Sequence, residues 1–285
     1  MNRIPTSPAR PIRVARPTVA VLTFVALAII SHRPAAAQLA PPNEAGITWG
    51  HIHLNVEDMA LHRRIWVEHF GGTVVVKGQL TTVRLPGTVI ALSEREPTGD
   101  SQGSGADHFG FSVPDLAAFL ARWRADGLEV ASEFEGAGGT PQAYVTVPDG
   151  IRVELQEVPS LAVAAEPYHV HLYTDGDPEA LRDWYADLFS MAPRARGRIP
   201  YTADVPGMNV SFSRAEEPVA ATRGRAVDHI GFEVDDLEAF CAALEARGIE
   251  FDLAYREVDS IELAIAFFTD PSGVLIELTE GFDRY

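Results

Sequence analysis

Gly50-His51-Ile52-His53-Leu54-Asn55-Val56 is the stretch on which the reading of this chain turns. Its pattern returns as His169-Val170-His171-Leu172-Tyr173-Thr174. Two looser copies are Asp107-His108-Phe109-Gly110-Phe111-Ser112-Val113 and Asp228-His229-Ile230-Gly231-Phe232-Glu233-Val234. Every copy places a histidine at the head of a run of β-formers, and a helix-like stretch follows. Recurrence of one unit at a fixed period marks a duplicated architecture.

Working outward from the first copy, residues 47–56 read as a strand. Glu57-Asp58 caps a helix running through about Phe70, which Gly71-Gly72 ends. Residues 73–77, 80–85 and 88–93 read as three strands, with Pro86-Gly87 as the last turn. The second unit repeats the plan. A strand over 107–113 precedes a helix from Pro114-Asp115 to about Ala125, and strands follow over 129–134, 142–147 and 151–158. The third unit copies the first at an offset of 118, carrying His51, His53, Leu54, Arg64 and Trp66 onto His169, His171, Leu172, Arg182 and Trp184. The fourth copies the second at an offset of 121, so that His108 and Gly110 return as His229 and Gly231. The expected fold is α+β: four βαβββ modules forming two paired-module domains, residues 46–158 and 166–283.

The first 37 residues are set apart. Four arginines (Arg3, Arg10, Arg13, Arg16) lead an uncharged apolar run from Thr18 to Ile30, and Ala35-Ala36-Ala37 follows. That order is a secretory signal peptide cleaved near Ala37, and the apolar run is shorter than the ~20 residues of a membrane-spanning helix. The expected location is periplasmic or secreted, with no membrane contact after cleavage. Losing five arginines and no acid takes the net charge from −17 to −22. Such an acidic chain lacks the basic footprint that nucleic acid demands. The one cysteine, Cys241, lies on an apolar helical face and reads as a buried thiol rather than a nucleophile. With no internal disulfide, the core must hold the fold.

In each half three groups recur: the histidine heading each unit and a glutamate in the last strand. They are His51, His108 and Glu154, then His169, His229 and Glu277. Two imidazoles and one carboxylate suit Fe(II), Mn(II), Zn(II) or Ni(II) and leave positions open, as in non-haem iron oxygenases. A histidine heading a strand is by itself more often a packed or surface residue. The repetition at matching points is what favours ligation. His53 and His171 lie two residues beyond presumed ligands, on the same face of their strands. Each reads either as a catalytic group beside the metal or as a packed histidine.

On these residues the sequence resembles the vicinal oxygen chelate superfamily, which includes glyoxalase I, type I extradiol dioxygenases and the fosfomycin and bleomycin resistance proteins. The resemblance implies that paired modules curl into cups around a metal. It maps the first-strand histidine on His51, His108, His169 and His229, and the last-strand glutamate on Glu154 and Glu277. Glyoxalase-type sites take a further glutamate from the odd module, where this chain has Ala91 and Ser211. The two-histidine, one-glutamate set is instead the extradiol pattern, and Fe(II) is the favoured ion. That pattern also implies a tyrosine ten residues before the glutamate. Tyr144 fills the place in the first half and Phe267 stands there in the second. The first half is therefore expected to be catalytic, with Tyr144 and His53 as its catalytic residues, and the second auxiliary.

Other features are quieter. Trp66 and Trp184 read as core, and Arg64 and Arg182 as members of surface ion pairs. Gly136-Ala137-Gly138-Gly139 lacks the lysine of a phosphate loop and reads as a flexible cover. The functional expectation is an exported metal-dependent enzyme, most like an extradiol-type dioxygenase, acting on a small oxygen-chelating substrate. A glyoxalase-type lyase or isomerase and a non-catalytic, small-molecule-sequestering protein remain open as alternatives.

Overall fold

The computed structural model describes residues 39–285 together with Met1, so the expected leader over 1–37 lies outside the described residues. No helix among the described residues is long and apolar enough to cross a membrane.

The first module comprises β1 (Ile47–Val56), α1 (Met59–Glu68), β2 (Thr73–Lys77), β3 (Leu80–Leu85) and β4 (Thr88–Glu94). The second comprises β5 (Ala106–Val113), α2 (Leu116–Ala125), β6 (Glu129–Glu135), β7 (Pro141–Val147) and β8 (Ile151–Glu157). The third runs β9 (Glu166–Thr174), α3 (Pro178–Phe189), β10 (Ala192–Arg196), β11 (Ile199–Val205) and β12 (Met208–Arg214). The fourth runs β13 (Val227–Val234), α4 (Leu237–Ala246), β14 (Leu253–Val258), β15 (Leu263–Thr269) and β16 (Leu275–Glu280).

Local chemistry sets these boundaries. An aspartate caps each of α1 to α4: Asp58, Asp115, Asp177 and Asp236 each accept a first-turn backbone N–H. Such a cap satisfies a donor that has no intrahelical partner. The β7–β8 hairpin closes through Asp149 and Gly150, both with positive φ (66° and 74°). Glycine and aspartate tolerate that conformation best.

The sheets do not follow the halves of the sequence. One eight-stranded sheet has the order β14-β15-β16-β13-β1-β4-β3-β2 and is built from modules one and four. The other, β10-β11-β12-β9-β5-β8-β7-β6, is built from modules two and three. We call them the outer and inner sheets. In both, the first strands of two modules pair antiparallel at the centre and run parallel to their own fourth strands.

The helical layer keeps the sequence order. Trp66 and Phe70 of the first module pack on Phe109 and Phe111 of β5 in the second, with ring centroids 4.7–6.2 Å apart where they meet each other and those strands. Phe189 of α3 stacks on Phe232 of β13 at 4.2 Å. Neighbouring modules thus share apolar packing within each half while exchanging sheet partners across the halves. Both sheets rest on one continuous core. Trp66 is fully buried, Trp184 packs at the core's edge, and Cys241 is buried, its thiol pushed up to about 11 by desolvation.

Candidate metal centre

The register brings the repeated histidines together in cross-module pairs. In the outer sheet His51 lies opposite Gly231 and His53 opposite His229. Gly231 in turn pairs with Glu277 on β16. The result is a cluster of His51, His53, His229 and Glu277 whose ligand atoms lie within 4.8 Å of one another. In the inner sheet His108 lies opposite His171, and Gly110 opposite His169 and Glu154. There His108, His169 and His171 form the matching cluster. The expected grouping is therefore corrected. His51 belongs with His229 and Glu277, and His169 with His108 and Glu154. The reason is the pairing of β1 with β13 and of β5 with β9, which takes one histidine from each half of the sequence.

A second correction follows. Tyr144 and His53, expected to act together, lie in different sheets. Tyr144 belongs to the inner site, where its hydroxyl donates to Glu154 Oε2 at 2.8 Å. His53 belongs to the outer site and meets Ser93 Oγ at 2.7 Å. Its inner counterpart, His171, meets Ser213 Oγ at 2.9 Å.

The glycines explain how the rings fit. A Cβ on Gly231 would fall 2.0 Å from the His51 ring, and one on Gly110 would fall 2.5 Å from the His169 ring. The space of the missing side chain holds the imidazole of the facing module. Behind the other two histidines stand Asp107 and Asp228. Their Oδ1 atoms meet Nδ1 of His108 at 2.7 Å and of His229 at 2.6 Å, leaving Nε2 aimed at the glutamate. A carboxylate on the far nitrogen fixes the ring and raises its basicity, the usual support of a metal-ligating histidine. These residues carried a sequence signal in the repeated Asp-His-x-Gly, though it speaks only once the strands are paired.

The two clusters differ in their carboxylates. Glu277 Oε2 sits 2.8 Å from Nε2 of both His51 and His229. Glu154 Oε2 lies 3.2 Å from His108 Nε2 and 3.7 Å from His169 Nε2, and the carboxylate also accepts from Tyr144 at Oε2 and from Tyr168 at Oε1. Tyr168 Oη is 2.5 Å from Oε1, a contact the sequence reading did not anticipate.

Charge follows geometry. Burial opposes ionisation of Glu277 and Glu154, yet their histidine contacts hold both well below the usual carboxylate range. Burial would lower His229, but Asp228 and Glu277 push it up to about 9, and His108 is raised by the same arrangement. His51 and His169 are lowered by burial, and His53 and His171 fall to about 3 for the same first reason.

The donor set fits a divalent cation. Both ring nitrogens of His169 are buried without a hydrogen-bond partner, as is His108 Nε2. Buried polar atoms are nearly always satisfied, and a cation beside Glu154 would satisfy Nε2 of both His108 and His169. The inner site opens into a cavity of about 260 Å³ that reaches Tyr144, Glu154, His171 and Arg196. Phe134, Gly136 and Ala137 line it too, so the glycine-rich stretch, which forms a short 3-10 turn over 137–139, borders the mouth.

The outer site is closed differently. Phe282 packs at a tilt against the His51 ring, centroids 4.7 Å apart, and joins Tyr285, Leu39, Val89 and Leu263 in a small apolar cluster. Phe267 faces His229 at 5.2 Å where the inner site has Tyr144.

This chain belongs to the Glyoxalase/Bleomycin resistance protein/Dioxygenase superfamily, whose family model matches residues 48–155 and 168–278. Among solved structures it is similar to glyoxalase I from Zea mays, at 18% identity and a TM-score of 0.68 over 84% of this chain and 94% of that one. It is also similar to a putative dioxygenase from Bacillus subtilis subsp. subtilis str. 168, at 15% identity and a TM-score of 0.64 over 86% and 88%. These likenesses establish the shared fold. No curated protein matches the chain.

Proposed function

We propose that the protein is an exported, divalent-metal-dependent enzyme acting on a small oxygen-chelating substrate, and that the inner site is its reaction centre. The observation that carries the reading is the inner cavity, whose wall includes the carboxylate and histidine side of the cluster. His108, His169 and Glu154 would hold the cation. Ser211 stands where a glyoxalase-type glutamate would, so the ligand set is two imidazoles and one carboxylate. This supports extradiol-type dioxygenase chemistry with Fe(II) over a glyoxalase-type isomerisation. Export is supported by the basic, apolar and small-residue order of the leader.

A divalent cation held by His108, His169 and Glu154 would supply Lewis-acid chemistry to the substrate's chelating oxygens and, as iron, oxygen activation. The chain supplies the rest. Tyr144 and Tyr168 fix both oxygens of Glu154, and burial beside that carboxylate keeps both phenols protonated, so each stays a donor. His171, held by Ser213, lines the cavity, where it would hydrogen-bond and orient a substrate hydroxyl.

Elemental analysis of the purified protein comes first. Loading with iron, manganese, zinc or nickel and screening catechols and small dicarbonyls for oxygen uptake follows. Iron with oxygen-consuming ring cleavage is the expected result. Dicarbonyl turnover without oxygen uptake would move the protein to the lyases and isomerases. Small-molecule binding with no turnover under any ion would make it a sequestering protein.

A further inference from the structure

The inner cavity contains a cation without a counter-ion. Arg196, the last residue of β10, reaches across β11 to the fourth strand of its module. Its Nε donates to Asn209 Oδ1 at 2.9 Å and its Nη2 to Ser211 Oγ at 3.2 Å. Asn209 is itself held by Thr202 Oγ1 at 3.0 Å and Asp204 Oδ1 at 2.7 Å. The guanidinium lies 5.2 Å over the Tyr168 ring, the same tyrosine that donates to Glu154. Among the described residues no carboxylate pairs with Arg196, and its Nη1 makes no hydrogen bond. It is half-buried and lines the cavity with His171 and Glu154.

The outer sheet shows what this arrangement replaces. By the module repeat Arg196-Gly197 corresponds to Lys77-Gly78, Asn209 to Val89 and Ser211 to Ala91. Lys77 turns the other way, pairing with Glu262 at 2.8 Å and lying 4.2 Å over the Tyr285 ring. With Val89 and Ala91 in place of the asparagine and serine, nothing polar draws a cation inward there. The inner sheet therefore has a purpose-held guanidinium at the position from which a glyoxalase-type site would offer a carboxylate.

The geometry points to Arg196 as a specificity-determining residue that binds an anionic group, a carboxylate or phosphonate, on the substrate of the inner site. This rests on the reading of that site as the reaction centre. A guanidinium held on one edge presents its remaining N–H groups in a fixed fork suited to a planar or tetrahedral oxyanion. Of the other charged groups lining the cavity, Arg198 and Glu135 are exposed, so solvent screens them more than Arg196, and Glu154 is engaged by Tyr144 and Tyr168. In a strongly acidic protein a local cation beside the site also reverses the field that would otherwise repel an anion.

Cobalt(II)-loaded protein is titrated with dihydroxyphenylacetate, its neutral methyl ester and phenylacetate, reading heat by calorimetry and chelation by the cobalt absorption bands. Wild type should bind the acid ~10-fold or more tightly than the ester, the scale of one charge-assisted contact. Arg196→Gln should erase that preference while leaving ester affinity and the cobalt bands as they were, and Arg196→Lys should keep part of it. Lys77→Gln should change nothing. Equal affinity of wild type for acid and ester, with cobalt bands that shift for both, would overturn the anion assignment and leave the proposed function standing. Silent cobalt bands, with phenylacetate still bound by wild type and lost in Arg196→Gln, would do the reverse. A preference that survives in Arg196→Gln and vanishes in Arg198→Gln would assign the anion to Arg198 and also overturn the inference.

Discussion

The inner and outer sites are copies of one plan, and they have diverged at the mouth rather than at the ligands. Each offers two facing histidines, a last-strand glutamate, an aspartate behind the even-module histidine and a glycine that makes room for the odd-module ring. Around that shared centre the inner site carries Tyr144, Tyr168, Arg196, Asn209 and Ser211. The outer carries Phe267, Gly50, Lys77, Val89 and Ala91, with Phe282 laid over His51. Duplication keeps the positions fixed by the strand ladder and frees those that line the opening. A ligand set alone therefore does not say which copy meets a substrate.

The comparison breaks most sharply at the carboxylates. Glu154→Ala should remove about one equivalent of metal per chain and abolish turnover, because a site short of one ligand binds poorly. Glu277→Ala should remove an equivalent from the outer site and leave most turnover. Metal analysis and turnover on the same samples check both. If Glu277→Ala were the inactive variant, the roles of the two sites would be reversed.

The cradle glycines give the next largest effect. Gly110→Ala drives a methyl into the His169 ring and Gly231→Ala into the His51 ring. Each should cost ~1–3 kcal/mol, as overpacking does, seen as a lowered urea midpoint. Only Gly110→Ala should also lower turnover. Tyr144→Phe is gentler. It frees Glu154 Oε2 while Tyr168 still holds Oε1, and loss of such an outer contact costs ~10–100-fold in metal affinity or rate. The matching Phe267→Tyr should not bring turnover to the outer site, since Phe282 still covers His51.

A last contrast runs through pH and touches stability rather than turnover. Glu233 on β13 has Ser112 as its inner counterpart. Burial pushes the Glu233 carboxyl up to about 7 from 4.5, against the bonds from Thr279 and Gly281. A raised carboxyl is protonated in the folded chain and ionised in the unfolded one across that window. Its contribution is therefore complete below pH 4.5 and is lost as pH climbs to about 7. The loss is on the order of 3 kcal/mol. Glu233→Gln should remove this slope from denaturant-unfolding curves measured from pH 4.5 to 7. Ser112→Ala should leave it intact.

Much of this was legible in the sequence. The module plan, the strands 47–56, 73–77 and 80–85, and the aspartate caps Asp58 and Asp115 were readable because alternation, glycine turns and caps are local signals. The six ligand candidates were readable because they repeat. Their grouping was not. Asp107 to Val113 and Asp228 to Val234 offer β1 nearly the same edge, so the pattern is silent on which of them it joins. Proximity in sequence favours β5, and the fold uses β13. Tyr168 escaped notice because its counterpart in the first unit is Gly50, so no repeat drew attention to it. Arg196 escaped because its hold depends on Asn209 and Ser211, two strands away.

The exchange of sheet partners also governs the order in which the protein can assemble. All strands of the inner sheet lie between Ala106 and Arg214, so that sheet can close while the fourth module is still emerging. The outer sheet cannot. Its central pair joins β1, among the first strands made, to β13, and waits for β16 before Glu277 arrives. Until then β1 presents an open edge, while its module is held beside the inner sheet by contacts that include those of Trp66 and Phe70 with Phe109 and Phe111 and the bond from Trp49 N–H to the Pro206 carbonyl. Long-range strand pairing of this kind is slow, and waiting edges invite misassociation. The closing step is thus a clasp between β1 and the fourth module, and Phe282, just beyond β16 and backed by Tyr285, lies over the site it completes.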